Sequence, residues 1–203
     1  FVARSSELES ISNMSNKAIF GDRRKVLHGC DKSAKINISL MIENIFREYD
    51  IRGIVGDQLT DETTATLGSA IGTFFARNNA RRIAVGYDAR ESSPRFCDLL
   101  TNGFRECGID VVQIGMVPTP VLYHTVFTRP VDGGVMITGS HNPPDHNGFK
   151  ICLGKDTLYG EQIQEIRAKM ERNEYREKPG GKVDRYEIMS PYHKRLLDDV
   201  PKL

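Results

Sequence analysis

The densest chemistry in this 203-residue chain lies between Thr138 and Lys150, which read Thr-Gly-Ser-His-Asn-Pro-Pro-Asp-His-Asn-Gly-Phe-Lys. Ser140 brings a hydroxyl, His141 and His146 bring imidazoles, Asp145 a carboxylate and Lys150 an ammonium. Such a set can support nucleophilic or phosphoryl-transfer chemistry. Gly139, Asn142, Pro143, Pro144, Asp145, Asn147 and Gly148 are turn formers. Two adjacent prolines restrict the backbone, so a polar loop can keep one shape at low entropic cost. Two other readings stand beside this one. The loop can be a rigid turn whose polar groups satisfy one another. A serine hydrolase is weaker, because Gly139-Ser140-His141 does not complete the G-x-S-x-G elbow and no triad spacing can be proposed. A P-loop is excluded, because G-x-x-x-x-G-K-[ST] does not occur.

The elements that must position this loop alternate along the chain. Ile45 to Ile51 alternates enough for a strand, which Arg52-Gly53 is expected to end. Thr60 caps a helix with Asp61 and Glu62 in its first turn, where the dipole favours acids. Leu67, Ile71, Phe74 and Phe75 continue it at helical spacing. Arg82 to Tyr87 reads as a buried strand. Ser93 as N-cap and Pro94 at the first position open a helix carrying Phe96, Leu99, Leu100 and Phe104, which Gly108 ends. Ile109 to Gly115 is a strand, Pro118-Thr119-Pro120 opens a helix, and Gly133 to Thr138 is a strand leading into the Ser140 loop. Phe149 to Cys152 forms another strand, and Ile163, Ile166 and Met170 mark a helix over about 160–173. The pattern predicts a three-layer α/β/α fold around a mixed, mostly parallel sheet. Ligands of such sheets sit beyond the carboxyl ends of the strands, where Ser140 falls.

Residues 1–40 are polar and mixed and are expected to be a poorly ordered extension. The main domain is expected over 41–173. Glu174 to Asp184 reads as a linker, and Tyr186 to Val200 as a helix with Tyr192, Leu196, Leu197 and Val200 spaced to bury, leading into a second domain that the chain lacks. Composition is that of a globular protein, with 39% hydrophobic and 27% charged residues. The 28 basic and 27 acidic residues leave a net charge of +1, so no field points to nucleic acid or an anionic membrane. Cys30, Cys97, Cys107 and Cys152 form no C-x-x-C pair and read as reduced thiols of a cytoplasmic protein. No apolar run is long enough to span a bilayer.

The loop Thr138 to Lys150 resembles the phosphoserine loop of the α-D-phosphohexomutase superfamily. Phe46 to Gly53 (FREYDIRG), Val85 to Pro94 (VGYDARESSP) and Gly115 to Tyr123 (GMVPTPVLY) resemble further segments of its bacterial phosphomannomutase/phosphoglucomutase branch, in order and spacing. Phosphoglucosamine mutases are expected to carry a TDGIRG-like motif where this chain has Tyr-Asp-Ile-Arg-Gly. The resemblance covers roughly 42–200. It implies that Ser140 carries a phosphoryl group and exchanges it with a hexose phosphate through a bisphosphorylated sugar, interconverting 1- and 6-phosphates. It also implies that Lys150, Arg52 and His141 act at that phosphate, and that Tyr49 and Lys150 contact substrate. Magnesium would bind a phosphate oxygen on Ser140, with its remaining ligands from an Asp-rich loop that this chain lacks. Hexose 1,6-bisphosphate would be the activator, and the remaining mutase domains the partners. Asp88 and Arg90 are read as bracing a loop, and His146 as an exposed loop residue. A non-catalytic remnant or binding module is the alternative.

Overall fold

The structure is a computed structural model and describes residues 44–200, which belong to one compact unit. The expectation for residues 1–40 lies outside the described residues. In chain order the elements are β1 (Ile51–Ile54), α1 (Asp61–Arg77), β2 (Arg82–Tyr87), α2 (Ser93–Glu106), β3 (Asp110–Met116), α3 (Thr119–Thr128), β4 (Gly133–Ile137), β5 (His146–Leu153), β6 (Asp156–Thr157), α4 (Glu161–Arg172), β7 (Val183–Arg185) and α5 (Met189–Asp199). Among the described residues the strands form one seven-stranded sheet of order β1-β5-β4-β2-β3-β7, with β6 paired to β5. The sheet is mixed: β4, β2, β3 and β7 run parallel, whereas β5 pairs antiparallel with β4, β1 and β6.

Helices cover both faces. On one, α1 packs on α2 and α4, and α2 lies against β2, β3 and β4. Phe74, Phe75, Phe96, Phe104 and Phe149 are fully buried. Phe96 of α2 meets Phe149 of β5 at 5.9 Å between ring centres. Each such ring contributes roughly 1.5–3 kcal/mol on burial. On the other face, α3 buries Val121 and Leu122 against Ala84, Val112, Ile114 and Met136. Alternation along β2 sends Ala84 to that face and its neighbours Ile83 and Val85 to the opposite one. Helix α1 starts where expected, with Thr60 Oγ1 accepting from the Thr63 N–H.

Four expectations are corrected. Arg52 and Gly53 do not end the first strand; they lie inside β1, because β5 offers a pairing edge in which Arg52 faces Gly148 and Gly53 faces Asn147. The N-cap of α2 is Ser92, which places Ser93 and Pro94 within the first turn. The segment read as a linker ends in β7, which adds to β3 in parallel despite its charge and exposure. Helix α5 begins at Met189, and its apolar residues are not buried: Leu197 is 75% exposed and Val200 60%. It leans on α3 through Tyr192, whose ring lies 5.3 Å from that of His124.

Candidate functional site

The chain leaves β2, builds α2 and returns to β3 on one side, then crosses by α3 to β4 on the other side of β2. The order of connections therefore reverses between β2 and β4, the place where open α/β sheets bind ligands. The ends of these two strands are tied by the Asp88 N–H donating to the Ile137 carbonyl at 2.9 Å. Ser140 follows β4 directly. It is exposed and stands at φ 54°, in the left-handed region rarely adopted by a residue with a side chain. Its N–H donates to Thr138 Oγ1 at 2.9 Å, a local bond that helps hold the conformation. Its Oγ lies 3.3 Å from Nδ1 of the exposed His141.

Two cations and one carboxylate stand beside this loop. Arg52 Nη1 donates to Asn142 Oδ1 at 3.1 Å, while Nη2 pairs with Asp50. Lys150 Nζ reaches the same Asp50 oxygen at 3.4 Å. The register that sets Ile51 opposite Phe149 carries Asp50 opposite Lys150, and positions 50 and 52 share a face of the strand. One buried carboxylate thus gathers both cations at the loop; Asp50 is only 5% exposed. Arg52 Nε is buried without a hydrogen-bond partner. The structure therefore brings Ser140, His141, Arg52 and Lys150 to one edge. Tyr49 precedes β1 and is 65% exposed, standing in solvent rather than packing.

The loop itself is built around Arg90. Its guanidinium donates to the carbonyls of Pro143 (2.6 Å), His146 (2.8 Å), Asn142 (2.7 Å) and Ser140 (3.3 Å). Asp88 meets Arg90 Nε at 3.3 Å and also accepts from the Arg90 N–H, Ser93 Oγ and the Gly139 N–H. Burial pushes the Asp88 carboxyl up, but these donors together with Thr138 outweigh it and hold it below its ordinary value of 3.8. Asn147, fully buried, donates to Ser92 and Ser93 and accepts from the Gly148 N–H. His146 is not the exposed loop residue expected: it is half-buried at the start of β5, opposite Ile54, with Nδ1 2.7 Å from Asp145.

Sequence reasoning offers Asp50 or Asp88 as a partner for Arg52, and misses that Asp50 holds Lys150 as well and that Asn142 and Asn147 join the site. For Asp50 a signal existed, since an acid two residues before Arg52 in extended chain shares its face. For the two asparagines only turn propensity was visible. Cys97, Cys107 and Cys152 are buried thiols outside any disulfide. Burial pushes the Cys97 thiol up to about 12, so it offers no nucleophile. Among the described residues no group of three or more His, Cys, Asp or Glu could hold a metal ion. The magnesium expected from the resemblance therefore finds no complete set of side-chain ligands there. No described helix is long and apolar enough to cross a membrane.

The domain thus presents an exposed, left-handed serine in the loop that follows β4, at the switch point of a mixed α/β sheet. The family model for phosphoglucomutase/phosphomannomutase, alpha/beta/alpha domain I, matches residues 43–177, and the chain belongs to this family. It is 46% identical over 157 residues to a phosphomannomutase/phosphoglucomutase of Pseudomonas aeruginosa, covering 77% of this chain and 34% of that protein. It is 44% identical over 158 residues to a phosphoglucomutase of Neisseria meningitidis, again covering 77% and 34%. A crystal structure of a phosphoglucomutase/phosphomannomutase family protein from Burkholderia thailandensis superposes with a TM-score of 0.74 at 35% identity, covering 78% of this chain and 36% of that one. The chain thus spans about a third of the length of the curated relatives it matches.

Proposed function

We propose that this chain is the phosphoserine-bearing part of a phosphohexomutase that interconverts hexose 1-phosphates and 6-phosphates, with mannose and glucose phosphates as the substrate class. The observation that supports it best is Ser140, held exposed in a left-handed turn at the switch point, in a loop whose Asn142 accepts from Arg52 while Asp50 holds Arg52 and Lys150 together. In the proposed step Ser140 Oγ attacks a phosphorus of hexose 1,6-bisphosphate. The Oγ–P bond forms, the sugar's P–O bond breaks, and the proton lost by the serine ends on the sugar hydroxyl. The reverse step phosphorylates the other hydroxyl of the sugar. Phosphoryl transfer needs positioning and charge neutralisation more than covalent help. Arg52 and Lys150 would exchange part of their hold on Asp50 for the phosphate, and His141 would hydrogen-bond to it. Tyr49, exposed beside β1, is free to contact the sugar.

Magnesium belongs to this reading as the ion that would neutralise a phosphate on Ser140. No step is assigned to it, because the described residues do not complete its ligand set. For the same reason the chain by itself is expected to interconvert no hexose phosphates. Robust conversion of mannose 1-phosphate to mannose 6-phosphate by the purified chain would overturn that expectation. The reduced, buried thiols Cys97, Cys107 and Cys152 suit a cytoplasmic protein. The reading is tested by incubating the purified chain with glucose 1,6-bisphosphate and measuring intact mass. One phosphoryl group should appear, map to Ser140 and be lost in Ser140→Ala. Label at another residue, or equal label in the variant, would refute it.

A further inference from the structure

Arg90 has no part in the proposed transfer step, yet every donor of its guanidinium is used on or beside one loop. Nη1 serves Pro143 and His146, Nη2 serves Ser140 and Asn142, and Nε faces Asp88. A guanidinium has five N–H donors in a fixed planar fork, so this set fills it. Asp88 aims the fork. It grips Nε and the Arg90 N–H, and is itself held by Ser93 Oγ from α2 and by the Gly139 N–H from the loop. Glycine at 139 leaves the space the guanidinium fills, since a Cβ there would lie 2.7 Å from Nη1.

The arrangement has an electrostatic consequence. Four carbonyl oxygens drawn to one place repel one another, and they would repel a phosphate dianion brought to Ser140. A cation seated among them removes both penalties. The Ser140 carbonyl is drawn to Arg90 while its residue remains exposed, with the hydroxyl beside His141 rather than at the fork. We propose that Arg90, aimed by Asp88, is the positioning residue of phosphoryl transfer at Ser140. It fixes the curvature of residues 139–147 and keeps their carbonyl dipoles away from the incoming phosphate. Lysine cannot replace it, because an ammonium is a point charge with three donors and cannot span four carbonyls while facing Asp88.

This inference rests on the reading of Ser140 as phosphoryl acceptor, and the experiment separates the two. Wild type, Arg90→Lys and Arg90→Ala chains are compared for amide exchange over 139–147 and for labelling of Ser140 by glucose 1,6-bisphosphate, with circular dichroism as the check on folding. Both variants should keep the sheet and helices, exchange the loop amides faster, and label Ser140 about 100-fold more slowly, the scale expected when a reacting group is misplaced by an ångström. Millimolar guanidinium should restore part of the rate in Arg90→Ala and none in Arg90→Lys, whose ammonium fills the site. A residue with only a general structural role would show no such rescue. Unchanged loop exchange in Arg90→Lys, or labelling of either variant at the wild-type rate, would overturn the proposal. Should Arg90→Ala fail to fold, Arg90→Lys decides. If wild type itself takes no label, the phosphoserine reading falls, while the exchange arm still supports or overturns the role of Arg90 in shaping the loop.

Discussion

Replacing Gly139 by alanine tests the packing of the Ser140 loop against Arg90 from the loop's side. A Cβ at this position would meet Arg90 Nη1 at 2.7 Å and Cζ and Nε closer still, whereas ordinary contact begins at 3.4 Å. Relieving the Nη1 contact alone takes 0.7 Å, the difference between those two distances, and the Cζ and Nε contacts demand more, so Arg90 or the loop must move by more than that. The end of an arginine usually swings aside at little cost. Here it is pinned by Asp88 and four carbonyls, and such a shift carries the 2.7 and 2.8 Å bonds to the edge of hydrogen-bond range. Losing two or three bonds of about 1 kcal/mol each gives roughly 2–3 kcal/mol. The lower entropy of the unfolded chain returns only about 0.4–1 kcal/mol. The clash wins, and Gly139→Ala should lower stability in urea unfolding by about 1–2.5 kcal/mol. Amide exchange over 139–147 should rise by more than it does in α1. A change below about 0.5 kcal/mol, the scale of an ordinary surface substitution, with loop exchange unaltered would refute the packing argument.

Two further outcomes follow from the same geometry. Asp88 has a folded value below its ordinary 3.8, so its contribution is fully present above 3.8 and is lost as pH falls through the lower folded value. The advantage of wild type over Asp88→Asn in urea midpoint should be constant above that pH and shrink below it; a gap that persists into strong acid would assign it to another group. At the α1–α2 crossing, a Cβ on Gly103 would stand 2.6 Å from the backbone of Gly68 and Ser69, which cannot swing aside. Gly103→Ala should cost about 3 kcal/mol despite the roughly 1 kcal/mol gain in helix propensity, and lower Tm by roughly 6–12 °C in calorimetry. A Tm within about 2 °C of wild type would show that the two helices separate freely.

The alternation of periods was legible because each strand and helix of the parallel part buries one stripe or one run of its own residues. Phe74 and Phe75 in α1, Ile83 to Val85 in β2, and Phe96 and Phe104 in α2 are fully buried, where their spacing put them. Ser140, Lys150 and Arg52 could be named before any coordinates because residue type and order carry that resemblance. Edges were less legible. Whether Arg52-Gly53 ends a strand or lies within one depends on whether β5 offers an edge at that height, and β7 is a strand only because β3 has an open side.

Within the loop, the sequence alone determined that a serine would stand among turn formers and cations after a buried strand. Tertiary structure alone decided that Ser140 takes a left-handed turn, that Asp50 serves Arg52 and Lys150 together, and that Arg90 holds the loop's carbonyls from 50 or more residues away. The physical reason is range. Periodicity and turn chemistry act over a few neighbouring residues and can be read along the chain. A guanidinium seated under a loop depends on the sheet order that sets β2 beside β4, which no local stretch of sequence encodes.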